Sequence, residues 1–444
     1  MNEASPPYST AAGSSSLDQT SNHGHGSSER GNTSFRPSTE HSYYLTSRKG
    51  PAWLTLKVTS HARSSGQLPS FFQGDAVAGV VELNLVDEES IKAVSIAITG
   101  QLTTSATDVF TFLQLSEELW SPSMGLPTPT AGTTSSVKSN GRLRGSFSWQ
   151  FSLALPTVVD MKWRSGSSEP CSLPPSFSER MARVHIQYQL LASVRRGLFH
   201  VDAKVGTVFA YTPIIRPEAP SLLRQISYLE SAPLPGPEED PEGWTTLKSI
   251  KIRGTIFHAR EIDVTCTLSL AQPLCYTRGS VIPCLMDLQT DDLQALHILA
   301  DSRAPVVRLL RQVSMGVSTA SSMSGKVSAG VAFQPAIQDT RQAVWWPSSR
   351  NSRSNVRRLE GEILLNPALK PSCRMGEFEL SYSVGVYPLK AVAFTAQDAS
   401  DHLLQSVPVT IATAYPPGPR ARIHSPPDYD DFSSIGQASE FFIP

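Results

Sequence analysis

Few residues in this 444-residue chain have the type and spacing for chemistry. Cys266, Cys275 and Cys284 recur at even spacing, which raises metal ligation. No C-x-x-C pair accompanies them and each sits in apolar surroundings, so they read as small buried hydrophobes. The acidic runs Asp87-Glu88-Glu89 and Glu238-Glu239-Asp240 hold the carboxylates that general acid–base work needs. The first lies between two strand patterns, where a charged turn is expected, and the second falls in a Pro-rich linker. His23 and His25 form an H-G-H without enough further ligands nearby. Arg195, Arg196 and Lys204 flank a turn at "RRGLFHVDAK", which reads as a solvated hairpin tip or as a basic contact patch for phosphate or phospholipid. The sharpest signal is "SPPDYDD", Ser425–Asp431, which contains P-P-x-Y as Pro426, Pro427 and Tyr429. Two prolines preset an extended polyproline II backbone at little entropic cost, and the tyrosine supplies an aromatic anchor. With 34 Pro and 11 Tyr, chance alone gives roughly 0.06 such patterns in the chain. "SPPYS" at Ser5–Ser9 lacks the intervening residue.

The nucleophile elbow G-x-S-x-G, H-E-x-x-H, Walker A and G-x-G-x-x-G are all absent. We therefore expect no catalytic, cofactor-binding or metal residues, and no enzyme. A formal net charge of -1 gives no global attraction to nucleic acid. No signal-peptide pattern opens the chain and no apolar run of about eighteen residues occurs, so a membrane span is not expected. Five cysteines without a secretory signal point to a reducing, cytoplasmic compartment.

The elements that would position these residues are strands. Alternation puts Val77, Val81, Leu83 and Leu85 on one face, then Val94, Ile96 and Ile98. "SFSWQFSLAL" places Phe147, Trp149, Phe151, Leu153 and Leu155 together, and "VHIQYQLLASV" does so for Val184, Ile186, Tyr188 and Leu190. After Trp244 the pattern returns through Ile262, Val264, Cys266, Leu268 and Leu270, through Phe378, Leu380, Tyr382, Val384 and Val386, and through Val407, Val409 and Ile411. Such alternation marks antiparallel sheets with one buried face. The expected fold class is all-β, as two β-sandwich domains in tandem. Boundaries follow composition: a disordered Ser/Gly-rich tail at 1–50, a sandwich at 51–217 with a mobile loop at 121–141, a linker at 218–243, a second sandwich at 244–414 with a mobile loop at 315–344, and a disordered tail at 415–444. The only helix expected is short, around 218–230.

Three stretches resemble a known family: "FFQGDAVAGVVELNL…IKAVSIAITGQL" (Phe71 to Leu102), "LPPSFSERMARVHIQYQLLASVRRGLFHVDAKV" (Leu173 to Val205) and "RPEAP" (Arg216 to Pro220). Together they look like the amino-terminal domain of the arrestin family, in its α-arrestin (arrestin-related trafficking adaptor) branch of fungal type. The usual motif is aromatic-x-P-G-D/E-x-V-x-G, and here Gln73 stands where the proline does. The match over 244–414 is weaker, with "CYTRGSVIPCLMDL" in place of a second motif strand. The resemblance implies two immunoglobulin-like, arrestin-fold sandwiches and an adaptor function. P-P-x-Y would recruit WW domains of a HECT-type ubiquitin ligase, the body would select an integral membrane cargo such as a transporter or receptor, and the cargo would be ubiquitinated and internalised. The protein would be cytoplasmic and recruited to plasma membrane and endosomes, with anionic phospholipid as a further partner and no nucleic acid. Ser425 beside the motif and Thr128 before Pro129 would be regulatory phosphosites, since a phosphate adds about two negative charges. Lys57, Lys92, Lys138 and Lys162 are the candidate ubiquitin acceptors in the first sandwich, and the sequence does not choose among them. The alternative is an arrestin-fold sorting scaffold of a retromer-like recycling complex, without a ligase.

Overall fold

The computed structural model describes residues 38–424, apart from 47–49, 106–107, 126–135, 139–141, 163–167, 180–183, 198–200, 316–335 and 350–353. Thr128, Ser425, Pro426, Pro427 and Tyr429 lie outside the described residues, as do residues 1–37 and 425–444; within the expected disordered tail at 1–50, Thr39–Thr46 is instead a strand paired with Ala52–Ser60.

The protein is all-β, built of curled, packed sheets. Strand pairing divides the chain by sequence. Among the described residues, every strand within 39–212 pairs inside that range and every strand within 244–412 inside its own.

In the first half one strand, Ala76–Ser105, organises everything. Its residues 76–90 pair with Ala52–Ser60 and Arg142–Ala154. Its later residues pair with Val184–Arg196 and Asp108–Trp120. The register shifts between Leu85 and Glu89, so the strand bends from one layer into the next. Asp87-Glu88-Glu89 therefore sits in a bulge within a continuous strand and not in a turn between two strands. The bulge lets exposed Val86, Asp87 and Glu88 leave the ladder without breaking it. The alternation works as read: Val77, Val81, Leu83, Leu85, Val94, Ile96 and Ile98 are all buried.

The second half holds two sheets. One runs Val344–Pro347, Val356–Leu364, Val281–Gln289, Arg260–Ala271, Ile250–Ile256 and Phe394–Ala396, with Trp244–Thr246 alongside Arg260–Ala271. The other runs Cys275–Thr277, Gln405–Ala412, Phe378–Tyr387, Val306–Met315 and Ala336–Gln342, with Cys373–Met375 against Phe378–Tyr387. The segments expected to be loops are partly ordered. Ala336–Gln342 is a strand within 315–344, and Pro122–Met124 and Ser136–Lys138 form a 3-10 turn and a strand within 121–141. Their polar composition hid short edge strands, whose backbone bonds need no apolar run.

The expected helix is present as α1, Leu222–Glu230. A second, α2, Leu293–Leu299, was not foreseen. Asp292 caps it, its carboxylate accepting from the Gln294 and Ala295 amides, and Ala295, Leu296 and Leu299 are its buried side.

One continuous apolar cluster runs through both halves. Across the seam, Phe177 packs on Phe378 with ring centroids 5.5 Å apart. The Arg311 guanidinium forks onto the Glu179 carboxylate, one bond at 3.0 Å. The two side chains are 14% and 19% exposed, so this pair is shielded from salt far better than a surface one.

Candidate functional site

The described residue nearest P-P-x-Y is His424, so the site is built from the segment that leads to it. After the strand Gln405–Ala412 the chain does not leave the body. The Thr413 hydroxyl accepts from the Ile215 amide at 2.8 Å and donates to the Pro213 carbonyl at 2.7 Å. The Tyr415 carbonyl accepts from Arg216 at 2.7 Å, and Arg420 stacks over the Tyr415 ring at 4.1 Å. Gly418 stands against Gln225 of α1, where a Cβ would meet the amide oxygen at 2.8 Å. Arg422 reaches the Ser231 carbonyl, at the end of α1, at 3.5 Å. Residues 413–424 are thus a strap along the connector rather than part of a free tail.

The strap ends in a clasp. The His424 amide donates to both oxygens of Glu362 at 3.1 and 3.2 Å, and its ring Nδ1 lies 3.3 Å from Glu362 Oε2. The His424 ring also packs on Trp346, centroids 5.0 Å apart. Glu362 is 1% exposed, and a carboxylate so deep needs such donors. Pro426 therefore begins two residues from an anchored position.

The connector expected at 218–243 is ordered beyond the one short helix expected in it. Arg224, on α1, is 1% exposed. It donates to the Gln272 carbonyl at 2.8 Å and to the Gly243 carbonyl, and lies 4.8 Å over the Trp244 ring. Burial lowers its pKa from the usual guanidinium value, with Tyr228, Asp240 and Tyr276 opposing. Ser221 caps the helix and donates to Asp240, and Trp244 Nε1 donates to the Pro235 carbonyl at 2.8 Å. Arg358 is held by Asp287 and by Glu238 of the acidic run, bonds that raise its pKa, and Glu239 accepts from the Gly236 amide at 3.3 Å. These carboxylates support the backbone and guanidinium groups around them. A cleft remains between α1, residues 271–283 and the strap, lined by Arg224, Tyr228, Tyr276, Tyr415, Pro419 and Arg420.

The structure brings Arg195, Arg196 and Lys204 together on one hairpin, with Ser193 opposite Lys204. Of the three, Arg196 is the one held closely by a carboxylate. Arg196 lies 4.3 Å over the Trp53 ring, pairs with Glu89 at 3.0 Å and takes Asp202 onto its backbone amide at 3.0 Å. Arg195 is 4.0 Å from Glu118. Lys204 is exposed.

All five cysteines are free thiols. Burial pushes Cys266 and Cys373 up to about 12 and raises Cys284 further, while Cys275 is raised by burial and by Glu218. Such thiols stay protonated, and the thiolate is the form that attacks or ligates. Among the described residues no three His, Cys, Asp or Glu side chains converge as a metal site would need.

Reading by sequence missed Arg224, Glu362 and the direction in which α1 faces. The period of Leu222, Leu223, Ile226 and Leu229 was there to see, but periodicity does not say which side a helix turns to solvent. No protein-family model matches the chain, and no curated protein matches it.

Proposed function

We propose that this chain is a non-catalytic adaptor of the α-arrestin type, two tandem sandwiches that recruit a WW-domain HECT-type ubiquitin ligase to integral membrane cargo. Pro426, Pro427 and Tyr429 are the ligase-binding residues. The cargo is ubiquitinated and taken up, and the adaptor works from the cytoplasm at plasma membrane and endosomes. The observation that carries this reading is the position of P-P-x-Y. It follows within two residues the clasp of His424 on Glu362 and Trp346, so its first proline lies no more than roughly 7 Å along the chain from the body. A ligase held there sits beside whatever the body holds. The strap gives the motif a defined origin, which a pattern occurring by chance in a long tail would not need.

The test is a titration of tandem WW domains with the full chain and with Tyr429→Ala. The tyrosine fills a pocket beside the proline groove, so its loss should weaken binding at least about tenfold while the melting curve is unchanged. Equal affinity of the two proteins would remove the motif's role. Co-purification with a recycling complex and with no ligase would favour the sorting-scaffold alternative.

A further inference from the structure

Helix α1 is mounted the opposite way from an ordinary surface helix. At 100° per residue, Leu222, Leu223, Ile226 and Leu229 share an arc of roughly 120°, with Arg224 and Ser227 on the other side. The side turned to the body is the polar one, and both Arg224 and Ser227 are buried. The apolar arc faces out: Leu222 is 77% exposed, Leu229 71%, and Leu223 and Ile226 47% each. The helix is held by its cap, by the two carbonyl bonds of Arg224 and by the strap, and Leu222 and Leu229 are left largely to solvent. An ordered, outward apolar stripe of this kind marks a contact surface.

The charges beside the stripe name the partner. Arg216, Arg420 and Arg422 are exposed, and all three meet the strap or α1 through carbonyls or a ring. None of them is paired with a carboxylate among the described residues. Gln225, which the strap covers at Gly418, borders the arc on its Leu229 side, so the arginine-bearing strap runs next to the leucines. Glu230 is exposed and falls within the arc between Ile226 and Leu223, and Glu218 lines the cleft that Arg420 lines, so the three arginines exceed the two carboxylates by one. The hairpin at Arg195 and Arg196, by contrast, has its charge met by Glu118 and Glu89.

We propose that the outward face of α1 with Arg216, Arg420 and Arg422 is a membrane-docking surface, the leucines entering the headgroup–acyl boundary and the arginines meeting anionic lipid. An interfacial helix works this way, combining apolar burial with attraction to acidic headgroups. The adaptor reading enters only in bringing the chain to membranes. Docking through α1 would set the strap, and P-P-x-Y after it, against the bilayer where cargo lies.

The experiment is co-sedimentation of the full chain with vesicles of phosphatidylcholine alone and of phosphatidylcholine with phosphatidylserine. Wild type should bind the anionic vesicles more tightly. Arg420→Ala with Arg422→Ala should weaken that binding, each arginine contributing roughly fivefold, and added salt should do the same. Leu222→Ser with Leu229→Ser, both at exposed positions, should abolish sedimentation while leaving the melting curve and the WW-domain affinity intact. Failure of wild type to bind either vesicle, or unchanged binding by the leucine variant, overturns the proposal. So does a dimer in sedimentation velocity that the leucine variant abolishes, because a second copy would then cover the face. Loss of WW binding in Tyr429→Ala is measured separately, so either idea can fail without the other.

Discussion

At the scale of the residue, two glycines of one motif have different tasks. Gly74 has φ +87° and open space around its missing Cβ, so its task is conformational. It completes a turn in which the Asp75 amide reaches the Phe72 carbonyl at 3.1 Å and the Asp75 carboxylate takes the Phe72 amide at 2.6 Å. Gly79 has an ordinary backbone, but a Cβ there would lie 2.1 Å from the Lys57 carbonyl and 2.9 Å from Phe151. Those neighbours are the backbone of a paired strand and a core ring, and neither can yield cheaply. Gly79→Ala should therefore cost more than about 2 kcal/mol, and Gly74→Ala about 1 kcal/mol. Urea unfolding of the two variants checks the order, and an equal or reversed pair would show that the strand Ala52–Ser60 can move away.

At the scale of the element, α1 depends on one side chain. Arg224 carries its buried guanidinium between the Gln272 and Gly243 carbonyls, tying the connector to the second half of the chain. Arg224→Ala leaves those carbonyls without their donor and the helix without its anchor. The outward leucines cannot compensate, because they touch solvent. We expect α1 to open locally by about 2 kcal/mol, giving roughly thirtyfold faster hydrogen exchange at its amides. The strands should keep their protection. Exchange measured on wild type and variant decides it, and unaltered protection across 222–230 would mean that the cap and the strap suffice.

At the scale of the whole molecule, stability should be lost on the alkaline side first. Burial raises Cys266 and Cys373 to about 12, against an ordinary thiol near 8.5, and raises Tyr211 and Tyr382 to about 12, against a phenol near 10. These groups are neutral when protonated, and the fold favours that form. Above the unfolded values the unfolded chain has released protons that the native chain still holds, so unfolding gains free energy as pH rises. Stability is thus unaffected by these groups below about pH 8.5 and declines from there to about pH 12. Melting temperature followed across that range should fall with rising pH. A flat profile would mean that these side chains reach water in the native state. The groups lie in both halves of the chain, so the decline should be one transition if the continuous core unites them.

Much of this architecture was legible without coordinates, and the reason is local. A period of two puts successive side chains on opposite faces whatever the strand's neighbours are, so Phe378, Leu380, Tyr382, Val384 and Val386 could be assigned to the core from their order alone. The P-P-x-Y pattern is likewise complete in four residues. What only the tertiary structure decided depends on residues far apart in the chain. Arg196 meets Glu89 across 107 positions, which answers one of the three charges of the basic hairpin. Glu362 meets His424 across 62, which anchors the strap just before the motif. An amphipathic helix has two faces in any sequence. Which of them α1 buries was settled by the carbonyls waiting for Arg224, because an unpaired buried guanidinium costs far more than three leucines and an isoleucine left partly in water.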